Sequence, residues 1–191
     1  MTQPGTRPYR PTNFDGFAIL MVEISGAALT QPNLAGLRLE AGASGSTIRG
    51  LIINRFATPG SAGVDVVDSN NNLIAGNFLG TDSDGDRYNN DPTEGKAFGN
   101  SIGVQVVGGN NRIGSPTPAD RNLISGNGDG IRLTGTGASN TVQGNYIGTD
   151  ATGELARGNV NDGVVIRGAA QGGSQGGALI GGATSTPGDG A

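Results

Sequence analysis

The chain has 191 residues, a net charge of −4, and neither cysteine nor histidine. The two missing residue types exclude disulfides, zinc–thiolate sites, cysteine nucleophiles, and histidine as a general base or metal ligand. No basic run is present, so nucleic acid is not predicted as a partner. No apolar stretch reaches the roughly 18 residues that a membrane-spanning helix requires, so no membrane span is predicted.

The composition favours a repetitive all-β architecture over a layered globular core. Glycine accounts for 37 residues and proline for 9, while only 34% of the chain is hydrophobic and tryptophan is absent. In a periodic sequence, this much glycine indicates a turn every few residues. A solenoid has a narrow interior that a modest number of aliphatic residues can fill.

The N-terminal region is predicted to differ from the rest of the chain. Residues 1–13 contain three prolines and no apolar period, which predicts an extended arm. Residues 14–191 are predicted to form a single β-helix domain, in which residues 14–35 make a partial first coil, a cap, or both combined. Val22 and Ile24 alternate with polar residues, which is typical of a strand.

Two long strings nearly repeat each other, and shorter signatures recur around them. Residues 71–82 read N-N-L-I-A-G-N-F-L-G-T-D, and residues 139–150 read S-N-T-V-Q-G-N-Y-I-G-T-D. A glycine followed by an apolar residue, any residue and a second apolar residue recurs at Gly36, Gly63, Gly103, Gly130 and Gly163. Alternation with a period of two places both apolar residues on one face, so each copy predicts a short strand with its apolar side inward.

Two further strand signatures follow each glycine signature. The second strand is predicted at Thr47-Ile48, Leu73-Ile74, Arg112-Ile113, Thr141-Val142 and Leu179-Ile180. The third strand is predicted to carry Ile53, Leu79, Ile124 and Ile147 at matching places. Three short strands per repeat, separated by turns rich in glycine and asparagine, predict a parallel β-helix of about five coils.

Corner asparagines such as Asn77 and Asn145 are expected to hydrogen-bond exposed backbone groups or one another along the stack. A β-sandwich is the main alternative fold, but hairpins do not explain the repetition of whole strings.

Three segments carry a family resemblance. Residues 46–56 (S-T-I-R-G-L-I-I-N-R-F), 122–131 (N-L-I-S-G-N-G-D-G-I) and 144–153 (G-N-Y-I-G-T-D-A-T-G) resemble bacterial right-handed parallel β-helix repeat proteins of the pectin-lyase-like fold. The resemblance extends over about residues 22–182 and implies a right-handed coil and a secreted or cell-surface location. Relatives with this fold include polysaccharide lyases, glycoside hydrolases, epimerases and non-catalytic stalks, so the fold does not fix an activity.

The resemblance implies that a substrate would lie along the outward face of the first strands. Arg38, Asp65, Gln105 and Arg132 occupy this column. Enzymes of the polygalacturonase type place several aspartates and a histidine there, whereas this column holds one aspartate and the chain has no histidine.

Pectate-lyase-like enzymes hold Ca²⁺ with carboxylates and use arginine as the base. Arg132 would be that base only if Asp129 and Asp162, at equivalent places in adjacent coils, held the ion. The simpler interpretation is that Asp129 and Asp162, each followed by glycine, are residues favoured in the turns at the corners of the coil.

Two loop features suggest further sites. Asp82, Asp84 and Asp86 form the densest carboxylate cluster, near Asp91 and Glu94, and an acidic loop of this kind is a candidate Ca²⁺ site or a solvated loop.

Asp82 and Asp150 end the two repeated strings and are expected to lie two rungs apart, roughly 9–10 Å. This separation is at or beyond the wide end of the distances between the two catalytic carboxyl groups of inverting glycosidases. The alternative interpretation is that each aspartate only begins a turn.

The outward side of the third strands is predicted to be apolar. Its column contains Ile52, Phe78, Leu123 and Tyr146. Either the loops at residues 83–101 and 151–161 fold over this column or the column is a contact surface. We expect cover by the loops because both loops start directly after these strands. The binding face predicted from the sequence contains these six residues: Arg38, Asp65, Gln105, Arg132, Tyr146 and Phe78.

These observations support three hypotheses about function. The first is a non-catalytic structural or ligand-binding segment of a secreted or cell-surface protein, with polysaccharide as a candidate ligand and no cofactor beyond a candidate Ca²⁺. The second is a polysaccharide lyase or glycoside hydrolase using Asp129, Asp162 and Arg132. The third is a solenoid that associates with itself through its open ends. The apolar run at residues 17–22 lacks the basic flank and cleavage site of a signal peptide, so secretion would require a signal removed from, or preceding, this sequence.

Overall fold

A computed structural model describes residues 22–86, 98–134, 139–168 and 177–182. The arm predicted at residues 1–13 and residues 14–21 of the predicted partial coil lie outside this range, as do Asp91 and Glu94.

The described chain is a right-handed parallel β-helix built from three parallel sheets of five strands each. Sheet 1 contains β2 (Ala35–Leu39), β5 (Ala62–Val67), β8 (Ile102–Val107), β11 (Asp129–Thr134) and β14 (Val164–Arg167). Sheet 2 contains β3 (Thr47–Arg49), β6 (Leu73–Ala75), β9 (Arg112–Ile113), β12 (Thr141–Val142) and β15 (Leu179–Ile180). Sheet 3 contains β1 (Val22–Ser25), β4 (Leu51–Asn54), β7 (Phe78–Leu79), β10 (Leu123–Ile124) and β13 (Tyr146–Ile147).

Successive strands occupy sheets 1, 2 and 3 in turn, which confirms the predicted coil of three strands. β1 lies in sheet 3 and pairs with β4, so the described chain begins with the last strand of a partial coil. Coil 1 then comprises β2, β3 and β4, and coils 2 to 4 repeat the order. β14 and β15 begin coil 5.

The register stacks like residues on like, as the strand signatures predict. In sheet 1, Leu37 pairs with Val64, and the column continues through Val104, Ile131 and Val164. In sheet 2, one column contains Ile48, Ile74, Ile113, Val142 and Ile180. In sheet 3, one column contains Ile24, Ile53, Leu79, Ile124 and Ile147. These columns form one continuous aliphatic interior. Each fully buried side chain in it contributes roughly 1.5–3 kcal/mol.

The glycine at the second position of the first four sheet 1 strands is required by close packing. A Cβ atom on Gly103 would lie 2.5 Å from the carbonyl oxygen of Gly130 and 3.0 Å from Nδ2 of Asn127. A Cβ atom on Gly130 would meet the carbonyl oxygen of Gly163 at 2.5 Å and Nδ2 of Asn159 at 2.8 Å. The recurring glycine therefore leaves room for the next coil and for the asparagine at the adjacent corner.

An asparagine ladder runs along each of the three corners. The corner before sheet 1 carries Asn100, Asn127 and Asn159. The corner before sheet 2 carries Asn72, Asn111 and Asn140. The corner before sheet 3 carries Asn77, Asn122 and Asn145. The hydrogen bonding that we predicted for Asn77 and Asn145 is therefore one part of a repeated arrangement.

Asn122 illustrates how each ladder joins three coils. Its Oδ1 accepts hydrogen bonds from the backbone N–H of Asn77 at 3.0 Å and from Nδ2 of Asn77 at 3.1 Å. Its own Nδ2 donates to the carbonyl oxygen of Ile74 at 2.8 Å and to Oδ1 of Asn145 at 2.8 Å. The side chain is fully buried, so both ends of the amide are satisfied only by neighbouring coils.

The corner between sheets 2 and 3 accommodates extra chain outside the wall of the helix. In coil 3 this corner is enlarged by residues 115–121, which include a short 3₁₀ turn at Pro118–Asp120. Arg49 of coil 1 forms an ion pair with Asp120 and donates a hydrogen bond to the carbonyl oxygen of Ala119 at 3.1 Å. The excursion therefore packs along the outside without interrupting the stacked strands.

We expect Asn122→Ala to lower the free energy of unfolding by about 3 kcal/mol or more. The substitution leaves buried groups of Asn77, Ile74 and Asn145 without this partner, and each such group costs about 1–3 kcal/mol. Urea unfolding of the variant measures the loss. The matched control is Gln31→Ala, because Gln31 also carries a side-chain amide but is exposed. The control is expected to lose less than about 1 kcal/mol; equal losses in the two variants would contradict the role of the ladder.

Candidate functional site

The outward column of sheet 1 is a chain of side chains that bind one another across the coils. Arg38 and Asp65 lie in register on adjacent coils, and Asp65 and Gln105 are in register on the next pair. The Nε atom of Arg38 donates a hydrogen bond to Oδ2 of Asp65 at 3.0 Å. The terminal Nη2 atom of Arg38 lies 2.8 Å from the same oxygen. Gln105 Nε2 donates to Oδ1 of the same carboxylate at 3.2 Å.

Both oxygens of Asp65 are therefore engaged by the protein. Asp65 is 4% exposed, whereas the side chain of Arg38 is 47% exposed. The carboxylate predicted for this face is shielded from a ligand, and its neighbours present hydrogen-bond donors to solvent instead.

Asp129, the first candidate catalytic carboxylate, is held in the same way. Arg132 forms an ion pair with Oδ2 of Asp129, and its Nε donates to that oxygen at 3.1 Å. Asn161 Nδ2 donates to the other oxygen at 3.2 Å. Burial raises the pKa of Asp129, but the hydrogen bonds from Arg132 and Asn161 and the positive charges of Arg132 and Arg167 outweigh it, so the pKa is lowered.

This arrangement does not suit the catalytic roles considered for Asp129 and Arg132. A carboxylate with a lowered pKa stays ionised, so it is a poor general acid. The guanidinium that would have to act as a base instead neutralises the carboxylate that would have to hold Ca²⁺. Asp162 is at the position of the next coil equivalent to Asp129, and its carbonyl oxygen accepts the backbone N–H of Gly130 at 2.8 Å, while the residue itself is exposed.

Asn161 is the residue of this site that the sequence interpretation missed. The sequence does contain a signal for it, because the two coils carry matching tripeptides. Asn161 stands before Asp162-Gly163 at the place where Gly128 stands before Asp129-Gly130.

The acidic loop after β7 is organised by its own backbone. Oδ1 of Asp82 accepts the backbone N–H of Asp86 at 3.2 Å, and the carbonyl oxygen of Asp82 accepts the N–H of Gly85 at 3.2 Å. Across residues 22–86, 98–134, 139–168 and 177–182, no three carboxylates lie together as a group that could hold a metal ion. The structure therefore does not assemble Asp82, Asp84 and Asp86 into the predicted Ca²⁺ site.

Asp150, the counterpart of Asp82, closes a tight turn. Its carboxylate accepts a hydrogen bond from Oγ1 of Thr152 at 2.8 Å and from the backbone N–H groups of Thr152, Glu154 and Leu155, each at 3.2 Å. Burial raises the pKa of Asp150, but these hydrogen bonds outweigh it and the pKa is lowered. The turn interpretation of this residue is thus supported by its geometry.

The apolar column of sheet 3 is covered, as expected, by the two loops. Ile52, Phe78 and Leu123 pack with Ala151 of the coil 4 loop, and Phe78 is only 4% exposed. Phe78 therefore does not present a surface to a ligand. Tyr146 packs against this cluster, and the guanidinium of Arg121 lies 4.2 Å from the centre of its ring.

The two loops also bind each other over coil 3. The N–H of Ala151 donates to the carbonyl oxygen of Gly85 at 3.3 Å, and Arg157 Nε donates to that of Asp86 at 2.7 Å. Gly85 has φ +68°, and a Cβ atom there would lie 2.7 Å from both Ala151 Cβ and Leu123 Cδ2. We call this unit, residues 80–86 with residues 148–158, the loop clasp.

Comparison with protein-family models, curated proteins and solved structures finds no match to this chain. Among the described residues, no helix is long and apolar enough to cross a membrane.

We expect Leu123→Ala to destabilise the protein by about 2–5 kcal/mol, because it opens a cavity under the loop clasp. Leu155→Ala in the coil 4 loop is the control, since Leu155 is 53% exposed. The control should change the free energy of unfolding by no more than about 0.5 kcal/mol. Chemical denaturation measures both variants, and a Leu123→Ala loss as small as that of the control would show that the clasp does not seal the column.

We also expect stability to fall at acid pH. The pKa values of Asp120, Asp129 and Asp150 are all lowered in the folded protein. Each therefore stabilises the fold above its unfolded pKa of about 3.9, and this contribution is lost as the pH falls through the lower folded value. Unfolding free energies measured from about pH 6 to pH 2 should show this decline. Asp150→Asn should flatten the decline, with Asp162→Asn as the control for loss of one exposed charge; an unchanged slope in Asp150→Asn would contradict the account.

Proposed function

We propose that this β-helix is a non-catalytic structural and ligand-binding segment of a secreted or cell-surface protein. The observation that carries the proposal is that two candidate carboxylates, Asp65 in the outward column of sheet 1 and Asp129 at the start of β11, are each bound by an arginine and an amide of the same chain. The oxygens of these carboxylates accept hydrogen bonds from neighbouring strands and corners of the chain. The absence of histidine from the chain supports the same conclusion.

The ligand class that this face suits is an uncharged polysaccharide. The charges of Arg38 and Asp65 balance within one pair, and those of Arg132 and Asp129 balance within another. Gln105 lies between these pairs and is half-buried. Donors repeated at the spacing of the coils, about 4.8 Å, form a row suited to the hydroxyl groups of an extended sugar chain.

The location outside the cell is part of the proposal and is supported by the resemblance of residues 46–56, 122–131 and 144–153 to bacterial β-helix repeat proteins. The right-handed coil that this resemblance implies is the one observed.

A panel of immobilised neutral and acidic polysaccharides, probed in Ca²⁺ and in chelator, tests the proposal. We expect binding to a neutral polysaccharide, unchanged by chelator. A double variant, Arg38→Gln with Gln105→Ala, should bind about tenfold more weakly, because the loss of a hydrogen bond or two is worth about 1–1.5 kcal/mol. Glutamine at position 38 keeps a donor for Asp65. Thr47→Ala, at an exposed position of sheet 2, is the control and should bind as the wild type does.

A cleavage assay decides against the competing hypothesis. Incubation with uronic-acid polymers should release no unsaturated products, with or without Ca²⁺. Release that disappears in Asp129→Asn would overturn the non-catalytic proposal, and equal binding by the double variant and the wild type would overturn the assignment of the face.

A further inference from the structure

One dipeptide of the chain joins an asparagine to a glycine. Of all the asparagines in the sequence, only Asn127 is followed by glycine, which is Gly128. Asn100 and Asn159, its neighbours in the ladder before sheet 1, are followed by serine and by valine. These three corners therefore place equivalent ladder amides beside three different following residues.

Glycine after asparagine favours spontaneous deamidation for a steric reason. Asparagine is chemically labile. The backbone nitrogen of the following residue loses its proton to solvent base and attacks Cγ of the asparagine, an approach that a side chain on that residue hinders. The Cγ–Nδ2 bond then breaks and ammonia leaves, which gives a five-membered succinimide ring. Water opens the ring at either carbonyl group and yields aspartate or isoaspartate, so the net reaction consumes water and releases ammonia.

The fold requires both members of this pair. Asn127 belongs to the ladder, because its Oδ1 accepts hydrogen bonds from the backbone N–H of Asn100 at 3.1 Å and from Nδ2 of Asn100 at 3.0 Å. Gly128 is required because a Cβ atom there would lie 2.4 Å from the carbonyl oxygen of Ser101 in the preceding coil. The reactive dipeptide is thus the consequence of two separate packing constraints at one corner.

In the native structure both reacting groups are held away from reaction. Asn127 is 0% exposed, and its Nδ2 donates hydrogen bonds to the carbonyl oxygens of Leu79 at 2.9 Å and Ser125 at 3.2 Å. The N–H of Gly128 donates to the carbonyl oxygen of Asn100 at 2.8 Å. Attack on Cγ must break this last bond and bring solvent to a buried amide, so the reaction requires the corner to open.

The product does not fit the corner from which it forms. An aspartate at position 127 places a carboxylate oxygen where Nδ2 stands, facing the carbonyl oxygens of Leu79 and Ser125 and Oδ1 of Asn159. Acceptors on all sides of a buried anion oppose its return to the native stack. Isoaspartate is a further obstacle, because its main chain runs through the side-chain methylene and lengthens the corner by one atom.

We propose that Asn127 is a self-modification site that the native fold masks. Deamidation at this residue proceeds from the opened chain, and each modified molecule is barred from rebuilding the corner before sheet 1. Unfolding that is reversible at first thereby becomes irreversible at this residue.

Peptide mapping by mass spectrometry tests the masking, after incubation at mildly alkaline pH in buffer and in guanidinium chloride. In denaturant we expect Asn127 to be modified at least about tenfold faster than Asn100 or Asn159, because only Gly128 leaves the attack unhindered. In buffer the rate at Asn127 should be lower by at least about a hundredfold, because it follows the small population of opened chain.

Tryptic digestion supplies an internal control. It places Asn127 and Asn122 in one peptide, residues 122–132, and leucine follows Asn122. Deamidation raises the mass of this peptide, whereas isomerisation of Asp129 leaves the mass unchanged. Equal rates at Asn127 in buffer and in denaturant would show that the corner does not mask the site. A rate in denaturant no greater than that of the other ladder asparagines would show that Asn127 is not the preferred site, and either result overturns the proposal.

Two substitutions separate the chemical step from the structural one. Gly128→Ala should slow modification of Asn127 in denaturant by about tenfold, because a side chain then hinders the attack; this measurement does not depend on folding. Asn127→Asp reproduces one product and should either fail to fold or unfold at a much lower denaturant concentration. The matched control is Asn110→Asp, at an exposed asparagine, which should unfold as the wild type does. Wild-type stability in Asn127→Asp, or an unchanged rate in Gly128→Ala, would equally overturn the proposal.

Discussion

The structure depends on buried amide groups that only a neighbouring coil can satisfy. At each of the three corners an asparagine accepts hydrogen bonds from the coil before it and donates to the coil after it. The Asn122 amide, for example, bridges Asn77 and Asn145 while also binding the carbonyl oxygen of Ile74. A coil that shifted in register would leave these groups unpaired inside the protein, so the ladders fix the stacking of the aliphatic columns as well as adding stability.

The same constraint decides where the chain can vary. Strands and corners must repeat, so variation in coil length is confined to excursions that leave the wall and return. The insertion at residues 115–121 packs along the outside through Arg49, and the loop clasp covers the apolar side of sheet 3. Neither excursion is seen to cover the outward face of sheet 1 in the described residues, and the ligand-binding proposal rests on that face.

Much of the fold could be predicted from the sequence because the repeat places like residues at like positions. The glycine signatures marked sheet 1, and pairs such as Leu73-Ile74 marked sheet 2, because alternation and repetition are properties of the chain alone. Cover of the Phe78 column by loops was also predictable, since those loops begin where the column ends. The extent of the asparagine ladders was less apparent, because Asn100, which pairs with Asn127, comes at the end of a long loop rather than next to a repeated string.

The state of the candidate site could not be predicted in the same way. Sequence spacing put Asp129 and Arg132 near each other but did not show that the guanidinium of Arg132 donates to the carboxylate of Asp129. The carboxylates of the acidic loop looked suited to Ca²⁺ by number, yet Asp82 turns its oxygen to the backbone of Asp86. Whether a polar residue serves a ligand or its own backbone is decided by local geometry that composition does not encode.

Native-state hydrogen exchange of the backbone amides is the most direct test of this account. The N–H groups of Asn77, Asn100 and Asn127 donate to the Oδ1 of the next asparagine in the stack. If the ladders hold the coils together, these amides exchange only through global unfolding, with the same free energy as the buried strand amides of Val104 and Ile131. Rapid exchange of the ladder amides while the strand amides stay protected would show that the corners open independently and would contradict the account.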